Sequence, residues 1–114
     1  MRSEPNTKHV QIAFEVPRDP EQYRATTHFG QRAKSRVPDH LRDRVIRECI
    51  ERGRCRGTTR TFAEEKRAGV KQYYAFEREI REREWRVVVG IRPVAFRNSD
   101  ERHLAVTIME VGDA

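Results

Sequence analysis

The feature that most restricts the fold of this chain is a change of hydrophobic period near Gly53. Before it, apolar residues recur every three or four positions: Phe29, Ala33 and Val37, then Leu41, Val45, Ile46, Cys49 and Ile50. After it they alternate or run together in 71–80, 84–91 and 103–111. A repeat of three to four lines one face of a helix, and an alternation lines one face of a strand. The switch at Gly53 predicts an α+β fold, with two N-terminal helices packed on one face of a mainly antiparallel sheet.

Local signals place the boundaries. HVQIAFEV (9–16) alternates through Val10, Ile12, Phe14 and Val16 and reads as a strand ended by Pro17, after which RDPEQY makes a turn. A helix is predicted from about Ala25 to Val37, although Gly30 lowers its propensity by roughly 1 kcal/mol relative to alanine. Pro38 interrupts, Asp39 is placed to cap a second helix, and Gly53 is placed to stop it. Strands are predicted at 57–62, 71–80, 84–91 and 103–111, with NSDE (98–101) turning the chain before the last. QYYAFEREIRERE also suits a helix, since Tyr73, Phe76 and Ile80 share a face and Glu77/Arg81 and Glu79/Arg83 are i,i+4 pairs. The aromatic cluster ahead of Val87, Val88 and Val89 favours a hairpin with its tip in REREW.

On the hairpin reading, the pleat sorts Tyr74, Phe76, Trp85, Val87, Val89, Ile91, Leu104, Val106 and Ile108 to a core face. Lys71, Tyr73, Glu77, Arg86, Arg92, Thr107 and Met109 go to the other. With 114 residues and 36% hydrophobic content, one core and one domain are expected over 8–114, with MRSEPNT (1–7) as a flexible tail. Cys49 and Cys55 are too few for a disulfide framework and lack zinc-site spacing, so both read as free thiols. No apolar run reaches the length of a membrane span, which points to a cytoplasmic protein without a membrane partner.

The net charge of +6 is unevenly placed: −1 over 1–23, +7 over 24–67 and 0 over 68–114. A localised basic excess is the footprint of polyanion binding. Within it, THFGQRAKSR (27–36) sets His28, Arg32 and Arg36 at intervals of four beside the apolar row Phe29, Ala33 and Val37. The apolar row can pack while the polar row meets a ligand. RGRCRGTTR (52–60) adds Arg52, Arg54, Arg56 and Arg60 in what reads as a basic loop entering a strand, and the cations around Cys55 could lower its thiol pKa. Arginine outnumbers lysine twenty to four, which suits paired hydrogen bonds to phosphate.

THFGQRAKSRVPDHLRDRVIRECIERG, followed by an antiparallel sheet closing in AVTIMEV (105–111), resembles the small RelE-like toxin superfamily, in particular an uncharacterised branch related to the BrnT toxins. The matching places are Thr27, His28, Arg32, Arg36 and Gly53, and the resemblance covers roughly 24–111. It implies a RelE-like α+β fold, metal-independent cleavage of RNA without a cofactor, and an antitoxin partner.

Metal-free RNA cleavage needs a base for the 2′-hydroxyl, cations for the phosphorane and an acid for the leaving oxygen. His28, Arg32 and Glu77 are the catalytic candidates for a toxin-type ribonuclease. Arg36, Arg54, Arg56, Arg60, Lys71, Tyr73, Arg86 and Arg92 are the candidates for binding RNA, Tyr73 by stacking on a base. The same residues also allow a non-catalytic nucleic-acid-binding module, or an interaction protein whose stripe meets an acidic partner. His103, beside a turn, reads as a surface residue, and His40 is assigned no role.

Overall fold

A computed structural model describes residues 16–58, 70, 72–92 and 102–112. They form an α+β fold with two helices and a five-stranded mixed sheet. The strands are β1 (Tyr23–Ala25), β2 (Arg54–Thr58), β3 (Gln72–Ile80), β4 (Arg83–Ile91) and β5 (His103–Glu110), in the order β1-β5-β4-β3-β2. The helices are α1 (Thr27–Arg36) and α2 (Asp39–Arg52), between β1 and β2. β1 runs parallel to β5, and the other three pairings are antiparallel. Residues 9–15 of the strand expected at 9–16, residues 59–62 of that expected at 57–62, the tail 1–7 and the turn at 98–101 lie outside the described residues.

The helices follow from their apolar rows. Phe29 and Ala33 of α1, the following Val37, and Leu41, Val45, Cys49 and Ile50 of α2 are buried in one cluster with Phe76, Ile80, Trp85, Val87, Val89 and Ile108 of the sheet. α1 begins later than predicted. Ala25 pairs with Ala105 in β1, and Thr26 is the N-cap, its Oγ1 accepting from the Phe29 N–H at 3.0 Å. Pro38, not Asp39, occupies the N-cap of α2. The link between the helices is so short that residue 38 must follow α1's C-cap, Val37, and precede α2 directly; Asp39 becomes the first helical residue and pairs with Arg42.

Arginines close both helix C-termini. Arg42 donates to the carbonyls of Ala33 (3.1 Å), Lys34 (3.4 Å) and Val37 (3.0 Å) at the end of α1. Arg18 donates to Gly53 O (2.6 Å) and Ile50 O (3.5 Å) at the end of α2, with its guanidinium 5.0 Å from the centre of the Phe76 ring. Gly53 stops α2, but not by a left-handed turn, because its φ is −69°. A Cβ there would lie 2.4 Å from Cys49 O and 3.1 Å from both N and O of Glu77, so the position is kept bare by a close backbone approach.

The segment that suited both helix and hairpin is a hairpin. β3 and β4 pair from Gln72↔Ile91 to Ile80↔Arg83, joined by Arg81 and Glu82 at φ 56° and 68°. Positive φ at both positions is the pattern of a type I′ turn, whose twist matches that of the strands it joins. The basic loop expected at 52–60 is instead a strand from Arg54 to Thr58, because its backbone pairs with Tyr73–Glu77.

The predicted faces hold for β3 and β4 and fail in β5. Val88 pairs with Thr107 but Val89 pairs with Ala105, so Val106 is an extra residue in the ladder. Such a bulge reverses the alternation on either side of it. Ile108 faces the helices, whereas Leu104 and Val106, predicted to join it, pack with Tyr73, Ala75 and Val88 in a second buried cluster on the opposite face. Ala105 takes the helix side in their place. His103 is also buried, 3% exposed, with its ring 5.8 Å from that of Tyr23 and its Nδ1 accepting from the Arg92 backbone N–H. The surface position expected for it does not hold, since its pairing with Tyr23 carries it into the sheet.

Candidate functional site

The expected site residues separate into two groups, divided by the sheet. α1 packs along β5 on the helix face, and the stripe beside its apolar row runs along β5 where β1 has ended. There Thr26 Oγ1 donates to Val106 O at 3.4 Å and Arg36 Nη1 to Ile108 O at 3.0 Å. Arg36 therefore fastens the helix to carbonyls left without a strand partner. Arg32 Nε donates to His28 Nε2 at 3.3 Å, the i,i+4 contact that the helix dictates, and this uses the lone pair of a neutral imidazole.

The sequence around this stripe contains only one sign of charge. From Gln22 to Pro38 the chain has no carboxylate, and it carries Arg24, Arg32, Lys34 and Arg36, all four exposed. Among the described residues none of the four makes an ion pair with an acidic side chain. Arg24 was not singled out from the sequence; the acid-free window around it was the available signal.

The second group lies across the sheet. Phe76 faces the helices, so the neighbouring Glu77 projects from the opposite face, where Arg54 and Arg86 are its partners in adjoining strands. Glu77 Oε1 accepts from Arg54 Nη2 at 3.1 Å, and Oε2 accepts from Arg56 Nη2 at 3.1 Å and Arg86 Nε at 2.7 Å. The carboxylate side chain is 5% exposed, whereas those of Arg54 and Arg56 are 72% and 59% exposed. Burial pushes the Glu77 carboxyl pKa up, but the hydrogen bonds from Arg86 and Arg54 and the charges of Arg86 and Arg56 outweigh it, leaving the group below its ordinary value. A carboxylate so held accepts a proton poorly at neutral pH, unlike a general base tuned for the task.

Beside this cluster an open groove of about 670 Å³ is lined by Arg52, Arg54 and Arg78 together with Glu77, Glu79, Glu82 and Glu84. Its four carboxylates, Glu77 included, outnumber its three guanidiniums.

The remaining candidates have other surroundings. Tyr73 is 6% exposed within the second apolar cluster, so its ring is not open to a stacking base; the pairing of β3 between β2 and β4 places it there. Arg92 is 7% exposed and donates through Nε (3.1 Å) and Nη2 (2.8 Å) to Arg102 O, which makes it a clamp on the chain entering β5. Arg60 and Lys71 lie outside the described residues. Cys55 is half-buried and burial raises its thiol pKa, against the lowering expected from nearby arginines. Among the described residues, no group of three or more His, Cys, Asp or Glu could hold a metal ion, and no helix is long and apolar enough to cross a membrane.

No family model, no curated protein and no solved structure matches the chain.

Proposed function

We propose that this protein is a non-catalytic nucleic-acid-binding module that grips phosphate through the surface formed by α1 and β1. The observation that carries this reading is the acid-free window from Gln22 to Pro38, in which Arg24, Arg32, Lys34 and Arg36 are all exposed, Arg32 and Arg36 on one stripe of α1 and Arg24 on β1. Exposed cations that make no ion pair among the described residues give a counterion-releasing contact with a phosphate backbone. His28 adds a hydrogen-bonding ring beside Arg32 on the same stripe.

The ribonuclease reading asks His28, Arg32 and Glu77 to converge on one phosphodiester. Glu77 opens on the face away from α1, and both its oxygens are taken by guanidiniums. Holding RNA therefore fits the arrangement better than cutting it.

The test is a mobility shift with labelled single-stranded RNA over a range of salt, alongside incubation of the same RNA in EDTA. Binding should weaken with salt, and the triple substitution Arg24→Ala, Arg32→Ala, Lys34→Ala should flatten the slope of log K against log salt by about 2, at roughly 0.7 per lost phosphate contact. Salt-independent binding contradicts the proposal. So does cleavage by the wild type that is abolished in His28→Ala, which would restore the ribonuclease reading.

A further inference from the structure

The cluster around Glu77 is more elaborate than sheet stability requires. Five charged groups share one patch of an open sheet face: Arg54, Arg56 and Arg86, the carboxylate of Glu77, removed almost wholly from water, and the half-exposed carboxylate of Glu84, 3.6 Å from Arg54 Nη2. Burying a group such as Glu77 is costly, and apolar residues in its place are often neutral or better for stability. The arrangement does, however, fix arginine forks. Arg54 and Arg56 each spend one nitrogen on Glu77, a guanidinium has five N–H donors, and both side chains remain largely in solvent. Their Cα atoms are two residues apart on one strand, about 6.8 Å at ordinary strand rise. That spacing is on the scale of successive phosphates of a nucleic-acid strand. The guanidinium plane suits a phosphate oxygen pair, and Glu77 removes much of the entropy that a free arginine loses on binding.

We infer that Arg54 and Arg56, held by Glu77, form a second phosphate-binding site, so that one molecule holds two separate nucleic-acid segments. This rests on the reading of α1 as the first. α1 and the Glu77 cluster are on opposite faces of the sheet, and β2 lies three strands from β5, about 14 Å across the ladder. A short oligonucleotide on one surface leaves the other open.

Capture by bridging tests this. A short single-stranded oligonucleotide is fixed to beads, protein is added, and recovery of a second, labelled oligonucleotide is measured, while anisotropy follows binding of one oligonucleotide in solution. Wild type should recover the label. Arg54→Ala/Arg56→Ala and Arg24→Ala/Arg32→Ala/Lys34→Ala should each still bind in solution, several-fold more weakly, and neither should bridge. Wild type that binds one oligonucleotide per chain without bridging overturns the second site and leaves the α1 reading intact. Bridging that persists in Arg54→Ala/Arg56→Ala also overturns it, since two α1 surfaces brought together by self-association would then be responsible. Loss of solution binding in Arg54→Ala/Arg56→Ala, with the α1 variant unaffected, leaves the sheet face as the single site and overturns both the α1 reading and the two-segment inference. A wild type that binds no oligonucleotide removes both.

Discussion

Replacing Glu77 with glutamine keeps the shape of the side chain and removes the charge that three guanidiniums share. Taking one member from a buried ion pair costs roughly 3–5 kcal/mol when its partner is left dry. Here the partners differ in exposure: Arg54 and Arg56 are 72% and 59% exposed and rehydrate readily, while Arg86, 26% exposed, does so less. Contacts to exposed guanidiniums are screened and worth about 0–1 kcal/mol each. The amide oxygen of glutamine can still accept one of the three hydrogen bonds. The net cost at pH 7 is then about 1–2 kcal/mol, equivalent to a fall in Tm of roughly 4–10 °C for a chain of this size.

The pH dependence has a definite sign. The Glu77 carboxyl is held below its ordinary value of 4.5 in the folded protein, so its stabilisation is fully present above that value and is lost as pH falls through the lowered folded one. Glutamine does not titrate, so the gap in Tm between wild type and Glu77→Gln should be constant from neutral pH down to about 5 and should close in more acid solution. Circular dichroism melts at a series of pH values measure this directly. A variant melting within about 1 °C of wild type at pH 7, or a gap that stays open in acid, would refute the account of the cluster.

Three further substitutions read other features of the fold, each by the same thermal melts. Gly30 is exposed in the interior of α1, with nothing within 4 Å of the position a Cβ would take, so Gly30→Ala should stabilise by about 1 kcal/mol; a lower Tm would show that the glycine serves something besides the helix. At Gly53 the same change meets backbone atoms at 2.4 and 3.1 Å, and Gly53→Ala should cost about 3 kcal/mol or more, with a tolerated variant contradicting the close approach. Arg81 and Glu82 hold positive φ without being Asn or Gly, and Arg81→Asn with Glu82→Gly should stabilise by about 1–2 kcal/mol, an unchanged melt arguing against the type I′ turn.

The parts of this fold that were legible in the sequence are those set by neighbours along the chain. The apolar rows of both helices, the hairpin and the approximate bounds of β3, β4 and β5 follow from local period. What was not legible depends on residues far apart. The parallel pairing of Tyr23–Ala25 with His103–Ala105 shortens α1 at its start and buries His103, and nothing within 20–26 announces it. The duties of the arginines were hidden for a related reason. Arg18, Arg36, Arg42 and Arg92 hold carbonyls, Arg86 holds a carboxylate, and Arg24 faces solvent, yet all six look alike as letters. A basic stripe predicted from spacing thus mixed one clamp, Arg36, with residues open to a ligand. Glu77, by contrast, was picked out as a chemical group and proved to be the hub of a cluster, with its charge already spoken for.

The extra residue in β5 gives that strand a property akin to a reading frame. On one side of Val106 the odd-numbered residues His103 and Ala105 face the helices; on the other, the even-numbered Ile108 does. Taking Val106 into the ladder opposite Val89 would leave Ile108 in place and turn 103–105 over as a block, sending Leu104 toward the helices and His103 away from Tyr23 and the Arg92 N–H, whereas deleting Val106 removes the extra residue and keeps both faces. The unbroken apolar run LAVTIM therefore works as a splice between two cores, and deletion of Val106 should be tolerated better than insertion of a further residue beside it, which would have to be absorbed by a second irregularity or turn one end of β5 over.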